Sequence, residues 1–134
     1  VAGRNNGRSW RIGIRDPRGA PDDYFAFFEG TDVSISTSGD YERYFVKDGI
    51  RYHHILDPAT GRPSRGLRCA TVVARDAVMA DALSTAVMVL GPERGLHLLD
   101  KQRGVEAVLV DDHGKLLVTD GMQKLMVVRH APAP

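Results

Sequence analysis

The sequence predicts an α+β fold in which a largely antiparallel β-sheet packs with a central helical pair. Short runs of alternating apolar and polar residues, separated by turn signals, occupy both ends of the chain. Between them lie two consecutive stretches with helical character, residues 78–91 and 92–103. At 134 residues the chain fits one domain, residues 1–134, with room for a substantial apolar core.

Three strand candidates occupy the N-terminal part of the chain. They are SWRIGI (residues 9–14), YFAFFEG (24–30) and TDVSISTSG (31–39). The first follows an Asn6-Gly7 turn signal, typical of a tight hairpin. In the third, the alternation predicts that Val33 and Ile35 face inward while Ser34 and Ser36 face outward.

The next segment predicts a hairpin, a loop and a further strand. In residues 41–57, Asp48-Gly49 supplies a hairpin turn. The loop DPATGRPSRG is rich in Pro, Gly and hydroxyl residues, and RCATVVAR after it has the composition of a strand. Cys69 in that strand is the single cysteine of the chain, which excludes an internal disulfide and favours the role of a small apolar side chain.

Capping signals delimit the helical pair. Asp76 is a plausible N-cap of the first helix and Gly91 its C-terminal stop. The second helix, PERGLHLLDKQR, begins with Pro92 and has an apolar stripe at Leu96 and Leu99.

The C-terminal part of the chain predicts strands again. Residues 105–121 form a hairpin around the turn at 112–114, and KLMVVR, residues 124–129, adds a last strand.

Composition narrows the classes of partner. The net charge is +1 and 26% of the residues are charged, so electrostatics gives no argument for nucleic acid or an anionic membrane surface. The sequence contains no apolar run of membrane-spanning length. A partner must therefore be inferred from a site.

The first helix contains one charged residue, Asp81, among apolar neighbours. Asp81 and Thr85 are four residues apart and share a helix face, and both offer oxygen ligands suited to a hard cation such as Mg²⁺. In the alternative, Asp81 caps a neighbouring loop and Thr85 bonds back to its own helix. Spacing alone favours this alternative.

The segment HHILDPATG groups two histidines, an acid and a hydroxyl within nine residues. On a strand, His53 and His54 point to opposite faces, and an imidazole there could transfer protons near neutral pH. Equally, the histidines are ordinary strand residues and the remainder is a turn that Asp57 begins, Pro58 bends and Gly61 ends.

The segment STSGDY follows a strand and is rich in small residues that let a phosphate or ribose approach the backbone. It lacks the glycine spacing of a Walker loop or of a dinucleotide-binding fingerprint. Its alternative interpretation is a polar turn.

In this order, the three segments resemble the ApbE-type FAD:protein FMN transferases, a family of bacterial flavin transferases. The matching positions are Thr37, Ser38, Gly39 and Tyr41 of a Thr-Ser-Gly-x-Tyr segment, His54, Ile55, Asp57, Pro58, Thr60 and Gly61 of a His-Ile-x-Asp-Pro-x-Thr-Gly segment, and Ala80, Asp81, Ser84, Thr85 and Ala86 of an Ala-Asp-x-x-Ser-Thr-Ala helix. Leu90 and Gly91 match a following Leu-Gly.

The resemblance implies an ApbE-like, T-fold-like architecture and a reaction at a pyrophosphate. Family members bind FAD and Mg²⁺, transfer FMN to a threonine hydroxyl of a target flavoprotein, and release AMP. By resemblance, Asp81 and Thr85 are metal ligands and His54 is catalytic. The implied cofactor-binding residues are Thr37, Ser38, Gly39, His54, Asp57, Pro58, Thr60 and Gly61. Some members hydrolyse FAD to FMN and AMP, so an FAD-binding or FAD-hydrolysing relative is one alternative, and a non-catalytic scaffold is another.

The family is about twice as long as this chain, and its N-terminal half carries an Asp-Leu-Gly-Gly-x-x-Lys-Gly type segment that does not occur here. We therefore expect residues 1–134 to be the C-terminal portion of a longer flavin transferase, incomplete relative to the family and inactive alone. We expect the missing N-terminal half or a second copy to complete the site. The resemblance further implies a periplasmic location or a membrane anchor on the outer side of the cytoplasmic membrane.

Overall fold

A computed structural model describes residues 1–133. The strands are β1 (Trp10–Arg15), β2 (Tyr24–Gly30), β3 (Ser34–Gly39), β4 (Tyr44–Lys47), β5 (Ile50–His53), β6 (Leu56–Asp57), β7 (Arg62–Pro63), β8 (Leu67–Ala74), β9 (Glu106–Asp111), β10 (Leu116–Val118) and β11 (Val127–Val128). The helices are α1 (Ala77–Leu90), α2 (Pro92–Asp100) and α3 (Asp120–Leu125).

The main elements form three layers. A four-stranded sheet in the order β10-β9-β8-β3 lies in the middle, with α1 and α2 against one face. A three-stranded sheet in the order β1-β2-β11 covers its other face. The pairings in both sheets are antiparallel, which confirms the predicted α+β class. The helical pair is central along the chain but forms an outer layer in space.

Strand β8 lies between two apolar cores and is buried along its whole length. Ala70 and Val72 belong to the core under the helices, whereas Cys69 and Val73 belong to the core between the sheets. A strand covered on both faces has no solvent-facing positions, so its sequence is a continuous apolar run rather than an alternating one.

Helix α1 begins and ends where the sequence predicts. The backbone N–H of Met79 donates to the Asp76 carboxylate, which satisfies one free donor of the first turn, and Gly91 ends the helix at a φ of 79°. Leu83 and Val87 are on the buried face, against β8 and α2. No helix of residues 1–133 is long and apolar enough to cross a membrane.

The predicted hairpins are confirmed. Asp48 and Gly49 both have positive φ, 52° and 74°, as the tight turn between β4 and β5 requires. Strands β9 and β10 pair around residues 112–114, but β10 ends at Val118, and residues 120–121 of the predicted hairpin belong to α3 instead. Helix α2 starts at Pro92 as predicted but ends at Asp100, so residues 101–103 lie outside it.

The prediction for the last strand was wrong in part. Lys124 and Leu125 belong to α3, and only Val127–Val128 pair as a strand. The backbone N–H of Met122 donates to the Glu106 carboxylate at 3.0 Å, which satisfies a free donor in the first turn of α3. The stabilising group lies 16 residues away in the sequence, so local propensity did not reveal this helix.

Burial of Cys69 raises the pKa of its thiol from an ordinary 9.0 to about 12. A reactive thiolate is therefore suppressed in the folded chain, and we expect Ellman's reagent at pH 8 to modify Cys69 only as fast as the protein unfolds. Because the folded-state pKa is raised, the free energy of unfolding should decline as pH rises from about 9 towards 12. Rapid modification at full native circular dichroism would contradict this prediction.

Candidate functional site

Strand β3 presents serines to helix α1. Ser36 lies opposite Val72 of β8 and Ser38 lies opposite Ala70, and directly opposite residues share one face of a sheet. Since Val72 and Ala70 face the helices, the two serines face α1. The expectation that Ser36 points outward was wrong, because the outer face of this strand is covered by a helix.

Hydrogen bonds join the two elements. The Ser36 hydroxyl donates to Asp81 Oδ1 at 2.9 Å. The Ser38 Oγ lies 2.9 Å from Ser84 Oγ and 3.1 Å from Thr85 Oγ1. We call these five residues the β3–α1 oxygen cluster, and its side chains contribute only oxygen as ligand atoms.

The cluster opens to the surface of the chain. Asp81 and Thr85 are exposed, whereas Ser84 is fully buried. Asp81 is therefore not a buried carboxylate within an apolar helix. It bonds across to β3, and the hydroxyl that bonds back to the helix, at 2.9 Å from the Asp81 carbonyl, is that of Ser84.

Thr37 and Gly39 occupy the opposite face of β3. The Thr37 hydroxyl lies 2.8 Å from that of Thr71 on β8, away from Ser38 and α1. A Cβ added at Gly39 would lie 2.5 Å from the Tyr41 ring, so no side chain fits there. Burial raises the pKa of the Tyr41 hydroxyl, which keeps it neutral over the physiological range.

An ion pair fixes the segment that follows β3. Both oxygens of Asp40, which is buried, accept from the Arg18 guanidinium at 2.7 Å. Hydrogen bonding to Asp40 raises the pKa of Arg18. Sequence reasoning missed this pair because its members are 22 residues apart and no local pattern links them.

The two histidines face opposite sides, as predicted. His53 is buried with Nε2 3.0 Å from the Ser64 carbonyl. His54 is exposed, and its Nδ1 lies 3.4 Å from the carbonyl of Arg43. The backbone N–H of His54 donates to the same carbonyl at 3.1 Å. His54 is thus tied to the segment that continues from β3.

Asp57 organises the turn that the sequence indicated. Its Oδ1 accepts from the Ala59 N–H at 2.9 Å and its Oδ2 accepts from the Thr60 hydroxyl at 3.3 Å. The Gly61 N–H donates to the Asp57 carbonyl at 2.8 Å. Pro58 in this turn is exposed. These contacts give Asp57 and Thr60 a structural part in the loop.

A cleft of about 810 Å³ lies beside this turn. Its lining residues are Ile50, Tyr52, Asp57, Thr60, Arg62, Pro63, Ser64, Arg65 and Val89. Val89 is one helical turn beyond Thr85, which is one turn beyond Asp81, so the oxygen cluster and the cleft follow one another along α1. Sequence reasoning did not single out the two arginines, although Arg62 directly follows the Asp57–Gly61 turn and Arg65 comes three residues later.

A second group of ligand-type atoms belongs to Asp16, Asp23 and His130, which lie within 4.8 Å of one another. The buried Asp16 carboxylate accepts backbone N–H donors from Arg18 at 2.9 Å and from Ala133 at 2.9 Å. These bonds account for its burial as a loop-holding group.

Comparison with known proteins identifies related sequences. A family model described as the ApbE family matches residues 1–109. An FAD:protein FMN transferase of Treponema pallidum is 43% identical over 102 residues, which are 75% of this chain and 28% of that protein. One of Rhodobacter capsulatus is 38% identical over 132 residues, covering 92% of this chain and 23% of that protein.

Solved structures agree with this match. The ApbE protein of Thermotoga maritima aligns with a TM-score of 0.83 at 43% identity, covering 92% of this chain and 40% of that one. The flavinyl transferase ApbE of Pseudomonas stutzeri aligns at 0.72 and 40% identity, covering 92% and 39%. The chain therefore spans less than half the length of these relatives.

The Asp40–Arg18 pair should stabilise the fold measurably. We expect Asp40→Ala to lower the free energy of unfolding by about 1–3 kcal/mol, because a largely buried guanidinium loses its charged partner. The matched control, Glu29→Ala, breaks the exposed pair with Arg11 and should cost about 0–1 kcal/mol. Urea titrations of both variants provide the measurement, and equal losses would contradict the prediction.

Proposed function

The chain belongs to the ApbE family, and on that premise we propose that it forms part of a Mg²⁺-dependent FAD:protein FMN transferase. In this proposal FMN passes from FAD to a threonine hydroxyl of a target flavoprotein, and AMP is released. The relatives' names supply the flavin donor and a protein acceptor. The metal, the threonine, the released AMP and a location outside the cytoplasmic membrane are parts of the proposal.

The observation that carries the proposal is the β3–α1 oxygen cluster. An exposed carboxylate and an exposed hydroxyl lie on one helix face, each bonded to a serine of the neighbouring strand. A donor set made only of oxygen suits a hard cation, so Asp81 and Thr85 are the residues that would hold Mg²⁺. Bound there, the ion would neutralise negative charge on the FAD pyrophosphate and on the departing AMP.

The neighbouring cleft has the chemistry of a nucleotide site. Arg62 and Arg65 offer guanidinium groups to phosphate oxygens, and Tyr52 offers an aromatic surface to a planar ring. The Asp57–Gly61 turn forms another part of the wall. Since the cleft begins one turn along α1 from Thr85, a dinucleotide can lie in it with its pyrophosphate towards the oxygen cluster.

We propose His54 as the general base, and its hydrogen bond to Arg43 supports this role. The Arg43 carbonyl only accepts hydrogen bonds, so the proton of a neutral His54 resides on Nδ1 and the Nε2 lone pair is available. We propose that Nε2 takes the threonine proton as the threonine oxygen bonds to the FMN phosphorus. The bond from that phosphorus to the oxygen of AMP breaks in the same step, and AMP leaves.

The site needs further protein groups. Two side-chain ligands make a weak Mg²⁺ site, and the chain spans 40% or less of the solved relatives. We propose that another part of a longer polypeptide, or a second copy of the chain, supplies the remaining ligand and the opposite wall of the cleft.

Removal of the carboxylate tests the metal assignment. In the full-length polypeptide supplied with FAD, Mg²⁺ and an acceptor flavoprotein, Asp81→Ala should reduce covalent flavin on the acceptor by about 100-fold or more. Asp100→Ala, at an exposed aspartate of α2, is the matched control. Equal transfer by Asp81→Ala and the unmodified protein would refute the assignment. Free FMN and AMP without labelled acceptor would identify a hydrolase instead.

Removal of the imidazole tests the proton transfer. His54→Ala should lower kcat by about 10²–10⁴-fold, because the transfer step would lose its general base. Mg²⁺ binding should be unchanged, because His54 bonds to Arg43 and not to the oxygen cluster. His97→Ala, at an exposed histidine of α2, serves as the control. An unaltered rate and pH profile at saturating FAD and Mg²⁺ would exclude this role.

A further inference from the structure

We propose that Ser36, Ser38 and Ser84 are positioning residues that orient Asp81 and Thr85 towards a single cation. Their hydroxyl groups form a chain of hydrogen bonds whose direction follows from the acceptors at its end. The inference rests on the proposed metal site and deepens it. Ser36 in particular is not among the positions that match the family's segments.

Asp81 is the end of this series of hydrogen bonds at which the donor direction is fixed. Its carboxylate and its backbone carbonyl can only accept, so Ser36 donates to Oδ1 at 2.9 Å and Ser84 donates to the carbonyl at 2.9 Å. The carboxylate is thereby held at one oxygen by the neighbouring strand. Among the hydrogen bonds of residues 1–133, the other oxygen of Asp81 has no protein donor and is available to a cation.

The donor direction at Asp81 also determines which way the Thr85 hydroxyl points. The Ser84 hydroxyl donates its hydrogen bond to the Asp81 carbonyl, so its oxygen accepts a hydrogen bond from Ser38 at 2.9 Å. Because the Ser38 hydrogen is used in that bond, the Ser38 oxygen accepts a hydrogen bond from Thr85 at 3.1 Å. The Thr85 hydrogen points to Ser38, and the lone pairs of its oxygen point away from the strand. A hydroxyl coordinates a metal through its lone pairs, so this is the orientation that a ligand needs.

An alternative donor bond does not change this result. Ser84 Oγ also lies 3.3 Å from Ser36 Oγ, and Ser84 could donate there instead. In either case the single hydrogen of the Ser84 hydroxyl is used as a donor, and its oxygen accepts a hydrogen bond from Ser38. Ser84 is fully buried, so an unmatched hydroxyl would leave a buried polar group without its partner at a cost of about 1–3 kcal/mol. Burial therefore requires Ser84 to donate to one of these two acceptors.

Apolar packing of β3 and α1 holds the hydrogen-bonded hydroxyl groups in place. Ser36 and Ser38 are held by their pairing with β8, and Ser84 sits between Leu83 and Val87 in the buried stripe of α1. Two packed elements thus set the spacing between the serines and the proposed ligands. Alanine at these positions would keep the packing and remove the orientation.

Binding of Mn²⁺ as a probe tests the inference without measuring activity. Free Mn²⁺ is followed by electron paramagnetic resonance during titration of the full-length polypeptide. We expect Ser36→Ala to weaken Mn²⁺ binding about 10-fold, as loss of a partner that orients a metal ligand commonly does. Ser36→Thr should restore the affinity, because it returns the hydroxyl on a strand that accepts β-branched residues.

Ser34→Ala is the matched control. Ser34 is two residues earlier on the same face of β3, and its hydroxyl bonds to the Arg75 carbonyl at 3.4 Å rather than to α1. This variant should bind Mn²⁺ like the unmodified protein. Ser38→Ala should weaken binding as Ser36→Ala does, and provides a second test if one substitution disturbs folding. Melting temperatures without metal report any such disturbance.

The outcomes separate the inference from the proposed function. Loss of binding in Asp81→Ala with unaltered binding in both Ser36→Ala and Ser38→Ala would overturn the positioning role and leave the metal site standing. Unaltered binding in Asp81→Ala, or no binding by the unmodified protein, would overturn the metal site and the inference with it. A weakening in Ser34→Ala equal to that in Ser36→Ala would show a general effect of the strand and would also overturn the inference.

Discussion

The pairing register between β3 and β8 is the constraint on which the rest of the structure depends. Strand β8 is covered on both faces, so each of its residues is committed to one of two cores. Pairing with it fixes which side chains of β3 meet α1. A shift of one residue would place Ile35 and Thr37 where Ser36 and Ser38 now lie, and it would turn both serine hydroxyl groups away from the helix. The chemistry of the cluster is therefore a consequence of apolar packing elsewhere.

Features governed by a few neighbouring residues could be predicted from the sequence. The Asp48–Gly49 turn and the Asp76 cap depend on backbone conformations and hydrogen bonds within four residues. The C-terminal helix could not be predicted, because a carboxylate on β9 stabilises its first turn. The direction of Ser36 was mistaken because alternation distinguishes two faces of a strand but does not tell which face is covered by another element.

In the candidate site, too, some residues could be predicted from the sequence and others could not. The family resemblance singled out Asp81 and Thr85, and their spacing placed them on one helix face. Their partners on β3 are 45 and 47 residues away, so only the tertiary structure shows that each proposed ligand has a serine beside it. The Asp40–Arg18 pair was likewise beyond sequence reasoning, although it fixes the segment that leads from Ser38 to His54.

The two faces of helix α1 have different roles: one packs against the sheet, and the other holds the proposed ligands. Its buried stripe removes apolar side chains from water and so supplies the favourable free energy that holds it to the sheet. Its other face has an exposed aspartate and threonine, whose hydrogen bonds compete with water and contribute little net stability. A carboxylate on this face is therefore neither required by the fold nor costly to it. Its orientation by the serines of β3 is the geometry on which the proposed metal site rests.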